Sequence, residues 1–340
     1  MENFFGNRDV AGAMEDMIRR GRIAQTLLLS GAEGVGKATL ARRFGALLLG
    51  DPQKIEQDDL SLASNVSLIA DREKWTADKR NEDPLFFASH PDFLTFAPDG
   101  PLRQITIQQM RLVKDRAPLK PLKGAWRVFL IDQIDRANEQ AANSLLKTLE
   151  EPPPHLILIM TARNPYDLLP TIRSRAVPFR LAPLSDAEMR DYIAFRGLDH
   201  PDRRRKLAEG SPGMAVSLDL ETYDRRRAAM LALLKVASGI DSFGDWLKHS
   251  DSIAARRTEK LDAYLEVLYL LLEDVLRISN GVKNIRNDDI RTDLESLSRR
   301  VSFDWIRAAV AKVNELVDLV RRNIQKSIAL DALAVELRAK

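Results

Sequence analysis

The chain reads as a doubly wound α/β domain followed by a largely helical C-terminal half, and three observations predict this. Short apolar runs alternate with helix-like segments through roughly the first 180 residues. One of those alternations brackets a glycine-rich turn, and beyond Pro183 strand patterns nearly vanish while apolar residues recur three or four apart.

Taken in chain order, Thr26-Leu27-Leu28-Leu29-Ser30 is an apolar strand, the glycine-rich turn follows, and 38–49, rich in Ala and Leu, reads as a helix. The stretch 51–99 mixes charged clusters without a sustained period and is expected to be an insertion or long excursion. Thr106 with Gln109, and Ser185 with Glu188, fit the capping box, so helices are expected to begin near Ile107 and Asp186. Arg127-Val128-Phe129-Leu130-Ile131-Asp132 is a buried strand ending in a carboxylate. A helix over 138–151 follows it and is stopped by Pro152-Pro153-Pro154. Leu156-Ile157-Leu158-Ile159-Met160-Thr161 is apolar throughout, as a parallel strand covered on both faces requires. Gly210-Ser211-Pro212-Gly213 punctuates the helical half. The expected division is an α/β domain over 1–182, a small helical lid over 183–215 and a helical domain over 216–340.

Composition narrows the function classes. The chain has 340 residues, 45% of them hydrophobic and 30% charged, as folded proteins do, and its 52 basic against 49 acidic residues leave a net charge of only +3. A dominant nucleic-acid-binding surface is not implied. The absence of cysteine removes disulfides, thiolate metal sites and cysteine nucleophiles. His90, His155, His200 and His249 show no metal-ligand spacing, and no metal site is assigned. The first residues have no basic head before an apolar stretch, and no run of 18 uncharged apolar residues follows. A cytoplasmic protein without membrane contact is expected.

Gly31-Ala32-Glu33-Gly34-Val35-Gly36-Lys37-Ala38 fits G-x-x-x-x-G-K-[ST] up to its last position and lies between a strand and a helix. There, backbone amides and a helix N-terminus cradle phosphates while Lys37 reaches the terminal ones. Ala38 lacks the hydroxyl that holds Mg²⁺, and Thr39 comes one residue late. A vestigial loop kept for turn geometry is therefore the competing reading. Asp132, at the C-terminal end of its strand, is placed to position the metal. The next residue, Gln133, cannot serve as the base that polarises an attacking water. Together Ala38 and Gln133 point to a chain that binds nucleotide weakly or not at all and does not hydrolyse it.

Residues 127–154, Thr161-Ala162-Arg163-Asn164-Pro165, Ile172-Arg173-Ser174-Arg175-Ala176 and Gly210-Ser211-Pro212-Gly213 resemble the clamp-loader branch of the AAA+ ATPases. Within it, the arrangement is similar to the delta-prime subunit family of bacterial DNA polymerase III. Residues 21–28 and His90-Pro91-Asp92-Phe93 extend the resemblance across most of 1–215; the C-terminal part matches only in pattern and between Asn323 and Leu333. The resemblance implies an AAA+ P-loop nucleotide fold, a helical lid and an all-α collar that assembles a hetero-oligomer. It also implies that Arg175, in the place of the family's Ser-Arg-Cys arginine, reaches as a trans arginine finger into a neighbour's ATP site. Guanidinium suits that task because it is always charged and pairs bidentately with phosphate oxygens. The alternative is a surface arginine in a basic run with Arg173 and Arg180.

Three departures from the family bear on mechanism. Residues 51–89 lack the four-cysteine zinc module, Gly213 stands where active loaders carry a γ-phosphate-sensing arginine, and Ala38 and Gln133 degrade the site. The implied function is a stator subunit that helps load the sliding clamp onto primed DNA. Its implied partners are the gamma or tau motor subunits, the delta subunit, the clamp and the DNA. The rival reading is an ATP-hydrolysing gamma/tau-like motor using Lys37 and Asp132, and a third is a helical scaffold outside replication. Among weaker features, Glu150-Glu151 reads as a helix end. The basic runs 203–206 and 225–227 read as solvated helix surface rather than phosphate contacts, and the aliphatic stripe 306–320 as subunit or bundle core.

Overall fold

A computed structural model describes residues 1, 3–256, 259–320 and 325–338. They form two compact units, Met1–Pro201 with Gly210–Val216, and Asp202–Glu209 with Ser217–Lys340. The helix Asp186–Arg196 counts with the first unit, and 202–209 with the second.

In the first unit six strands, β1 (Thr26–Ser30), β2 (Phe87–His90), β3 (Phe93–Phe96), β4 (Arg127–Ile131), β5 (Leu156–Ala162) and β6 (Val177–Arg180), make one sheet in the order β2-β3-β4-β5-β1-β6. Only the β2–β3 pair is antiparallel. The registers Thr26↔Leu158, Arg127↔Leu156 and Phe93↔Val128 bring the C-terminal ends of β1, β4 and β5 to one edge. Alternation with period two sorts the side chains. Leu27, Leu29, Val128, Leu130, Ile157 and Ile159 pack with Met14, Leu40 and Phe44 from the helices Arg8–Arg19 and Lys37–Leu49. Leu28, Phe129, Ile131, Leu158 and Met160 pack on the other face with Met110, Val113, Leu145 and Leu149 from Ile107–Arg116 and Glu139–Glu150. This is the doubly wound arrangement the sequence predicts, with β1 inserted between later strands so that the loop after it opens at a switch point.

Both expected capping boxes form, and their helices begin at Ile107 and Asp186. The stretch 51–99 is more ordered than its composition implies. It holds three short helices, Pro52–Glu56, Ala63–Arg72 and Ala77–Glu82, and the strands β2 and β3, the latter buried throughout. β6 was not legible either: it carries Pro178 and a mostly exposed pattern, which only an edge strand tolerates.

The second unit packs Leu220–Ala237, Phe243–Ala255, Asp262–Ser279, Arg291–Arg300, Phe303–Val320 and Lys326–Arg338 around one apolar core that includes Trp246, Leu268, Leu271 and Leu330. Of the aliphatic stripe, Ile306 and Val313 are in that core, Val310 packs against it, and Val317 is exposed, contrary to the core expectation; the side chain of Val320 lies outside the described residues, as does Asn323. No described helix is long and apolar enough to cross a membrane.

Candidate functional site: a phosphate loop and an outward arginine

The loop 31–36 joins β1 to the helix Lys37–Leu49, and Gly31, Gly34 and Gly36 all take positive φ, at 147°, 74° and 99°. This geometry aims the first helical amides at the space a phosphate would fill. Lys37 is turned onto its own loop, where its Nζ donates to the carbonyls of Gly31 and Ala32, each at 2.7 Å. Burial lowers its pKa against the pull of Asp132, Asp135 and Glu33. Ala38 packs toward the apolar cluster beneath the sheet and offers no oxygen.

Asp132, at the end of β4, is buried, and burial pushes its carboxyl up from the ordinary carboxylate range. The Thr161 hydroxyl of β5 donates to its Oδ1 at 2.6 Å, and the Gln133 amide donates to that hydroxyl at 2.8 Å. Gln133 itself sits at φ 56°. The structure thus brings Gly31, Gly34, Gly36, Lys37, Ala38 and Asp132 together at one edge of the sheet, as their sequence positions require. The donor set for a metal-bound nucleotide holds one buried carboxylate and lacks a hydroxyl at 38.

A contact the sequence did not reveal closes over the loop. Ser211 Oγ donates to the Glu33 carbonyl at 3.1 Å, and the Gly213 amide donates to the Gly34 carbonyl at 2.9 Å. The two backbones approach so closely that a Cβ on Gly34 would fall 2.2 Å from Ser211 Oγ, and one on Gly213 only 2.8 Å from the Gly34 Cα. Gly213 is therefore demanded by packing. From the other side Phe4 approaches Gly36. The sequence signal for this contact was the Gly-Ser-Pro-Gly punctuation.

Arg175 follows the short helix Pro170–Arg173 and has none of these residues as a partner. Its Nη2 donates to Glu150 Oε1 at 2.7 Å, and its Nη1 to the Thr171 carbonyl at 2.9 Å and to Ser174 Oγ at 3.3 Å. Its neighbour in the basic run, Arg173, lies over the ring of Tyr166, 5.1 Å from the centroid. Glu150 does end its helix, and it also holds Arg175, which adjacency in sequence could not show.

The basic runs are not solvated surface. Arg203 pairs with Asp224, Lys206 with Asp288 at 2.6 Å, Arg225 and Arg226 with Glu259 at 3.0 Å, and Arg227 with Asp289 at 2.6 Å. Acidic residues distant in sequence fold against them, so these charges stabilise the second unit. Among the described residues no group of three or more potential ligand side chains could hold a metal ion.

The family model described as DNA polymerase III, delta subunit, matches residues 6–185, and that for its C-terminal part matches 229–337. The chain belongs to this family. It is similar to DNA polymerase III subunit delta' of Escherichia coli, 29% identical over 66% of this chain and 66% of that one. It is also similar to subunit gamma/tau of Mycobacterium tuberculosis, 31% identical over 52% of this chain and 28% of that one. It therefore spans less than two thirds of the length of these curated relatives. A solved gamma subunit-related protein of Thermotoga maritima overlaps 96% of this chain and 98% of its own at a TM-score of 0.47 and 17% identity.

Proposed function

We propose that the chain is the delta-prime-like stator of a DNA polymerase III clamp loader, donating Arg175 to the ATP site of an adjoining motor subunit. The contrast between its two phosphate-directed features carries this reading. Its own loop is satisfied internally through Lys37 and covered by Ser211 and Gly213, whereas Arg175 stands at the surface with a third of its side chain exposed. In this reading Mg·ATP or ADP is bound weakly or not at all. The loop's glycines and Lys37 would hold the phosphates of any nucleotide that did bind, and Asp132 would face its metal. Residues 1–182 supply the nucleotide fold, 183–215 the lid, and 216–340 the collar that joins gamma/tau and delta subunits. The sliding clamp and primed DNA are met through the complex, in the cytoplasm.

The similarity to the E. coli delta' chain, which covers a larger share of both chains than the similarity to gamma/tau, supports this reading over a gamma/tau-like motor. The test is reconstitution of the loader with Arg175→Ala. A trans finger acts on charge developing in transition, so clamp- and DNA-stimulated ATP turnover is expected to fall by about 10²-fold or more. Unchanged turnover would remove the assignment. Turnover by the isolated chain that Lys37→Ala abolishes would instead identify a motor.

A further inference from the structure

Glu150 occupies an unusual place for a carboxylate, the last residue of the helix Glu139–Glu150, where the unsatisfied carbonyls already present negative potential. Helix stability would favour a cation there. What the position does achieve is contact with Arg175, 25 residues away in sequence, at 2.7 Å. With Thr171 and Ser174 also accepting from Nη1, the guanidinium has acceptors on both terminal nitrogens.

A guanidinium so engaged cannot present the same fork to a phosphate. To pair bidentately with phosphate oxygens through its two terminal nitrogens it must give up the Nη2–Glu150 contact, because the carboxylate stands where one of the phosphate oxygens would lie. The pair is also weak enough to release: the two side chains are 33% and 50% exposed, and solvent-open ion pairs hold loosely.

We propose that Glu150 is a positioning residue, a latch that holds Arg175 docked on its own subunit until a neighbour's nucleotide phosphates compete for it. This inference rests on the trans-finger reading of Arg175. The latch lowers the fraction of complexes whose arginine is free to engage, and apparent affinity for the neighbour's nucleotide falls by that fraction. It should leave the maximal rate alone, because at saturating nucleotide the phosphate has already won.

The experiment is ATP turnover by the loader reconstituted with Glu150→Gln, Arg175→Ala or both, over a range of ATP concentrations with clamp and primed DNA present. For Glu150→Gln the concentration giving half-maximal turnover is expected to fall about 1.5- to 5-fold, the range an exposed ion pair spans, with the maximal rate within twofold of the parent. Glu150→Asp, with its charge kept on a shorter arm, is expected to fall between the two, and it answers the question if Glu150→Gln does not fold. In the Arg175→Ala background Glu150→Gln is expected to change nothing, a non-additivity that a merely structural role would not produce. An unchanged or raised half-maximal concentration in Glu150→Gln, alongside a large loss in Arg175→Ala, overturns the latch and leaves the finger. A maximal rate as low in Glu150→Gln as in Arg175→Ala also overturns it, because Glu150 would then act in the transition state. No effect of Arg175→Ala removes the finger and the latch with it.

Discussion

Gly213 lies against Gly34 with no room for a side chain, and this changes what its difference from active loaders means. Replacing it with arginine would not restore a γ-phosphate sensor, because the new Cβ would fall 2.8 Å from the Gly34 Cα, and backbone cannot step aside as a flexible side chain could. Gly213→Arg is expected to lower unfolding free energy by about 1–3 kcal/mol, as overpacking does, and to leave the isolated chain without ATP turnover. Urea denaturation and a phosphate-release assay check both; a variant as stable as the parent that hydrolyses ATP would refute the packing argument. Lys37 and Asp132 were legible because strand-loop-helix geometry fixes where such residues must lie. The roles of Ser211, Thr161 and Glu150 were not, since each depends on a partner brought near only by the fold.

At the level of elements, the stretch 51–99 shows charge doing what apolar periodicity does elsewhere. Arg72, almost fully buried at the end of Ala63–Arg72, pairs with Asp99 at 2.7 Å and with Asp83 at 3.3 Å, and lies 4.5 Å from the centroid of the Trp75 ring. Gln109, wholly buried, completes the capping box of Ile107–Arg116, and its amide donates to the carbonyls of Leu85 and Ala97 at 2.7 Å. Asp99→Ala, which leaves the buried guanidinium with only the more exposed Asp83 as its acid partner, is expected to cost about 3 kcal/mol. Thr106→Ala, which removes only a cap, is expected to cost about 1 kcal/mol. Equal losses in urea unfolding would mean the buried pair does not organise this stretch. The capping boxes could be read from sequence because their partners are three residues apart. The Arg72–Asp99 pair, 27 residues apart amid other charges, and the four-residue strand β3 had no local signature.

For the whole molecule, the second unit combines its apolar core with an ion-pair network that sets its response to acid. Burial would raise the Glu259 pKa, but hydrogen bonds from Arg226, Tyr264 and Arg225 outweigh it and pull the carboxyl from an ordinary 4.5 down to about 2. A carboxylate lowered on folding contributes stability that is complete above its unfolded pKa and is lost as pH falls toward the folded one. Thermal midpoints are thus expected to drop more steeply between about pH 4.5 and 2 for the parent than for Glu259→Gln; parallel curves would exclude this linkage. Residue order alone determined the α/β core, the phosphate loop, the missing hydroxyl and base, and the family, because these depend on local periodicity and on short motifs whose chemistry is set by spacing. Only the tertiary structure decided that Gly213 packs on the glycine-rich loop, that Glu150 holds Arg175 and that the basic runs are internally paired. Those contacts join residues distant in the chain, and charge and close backbone approach leave no periodic trace in a sequence.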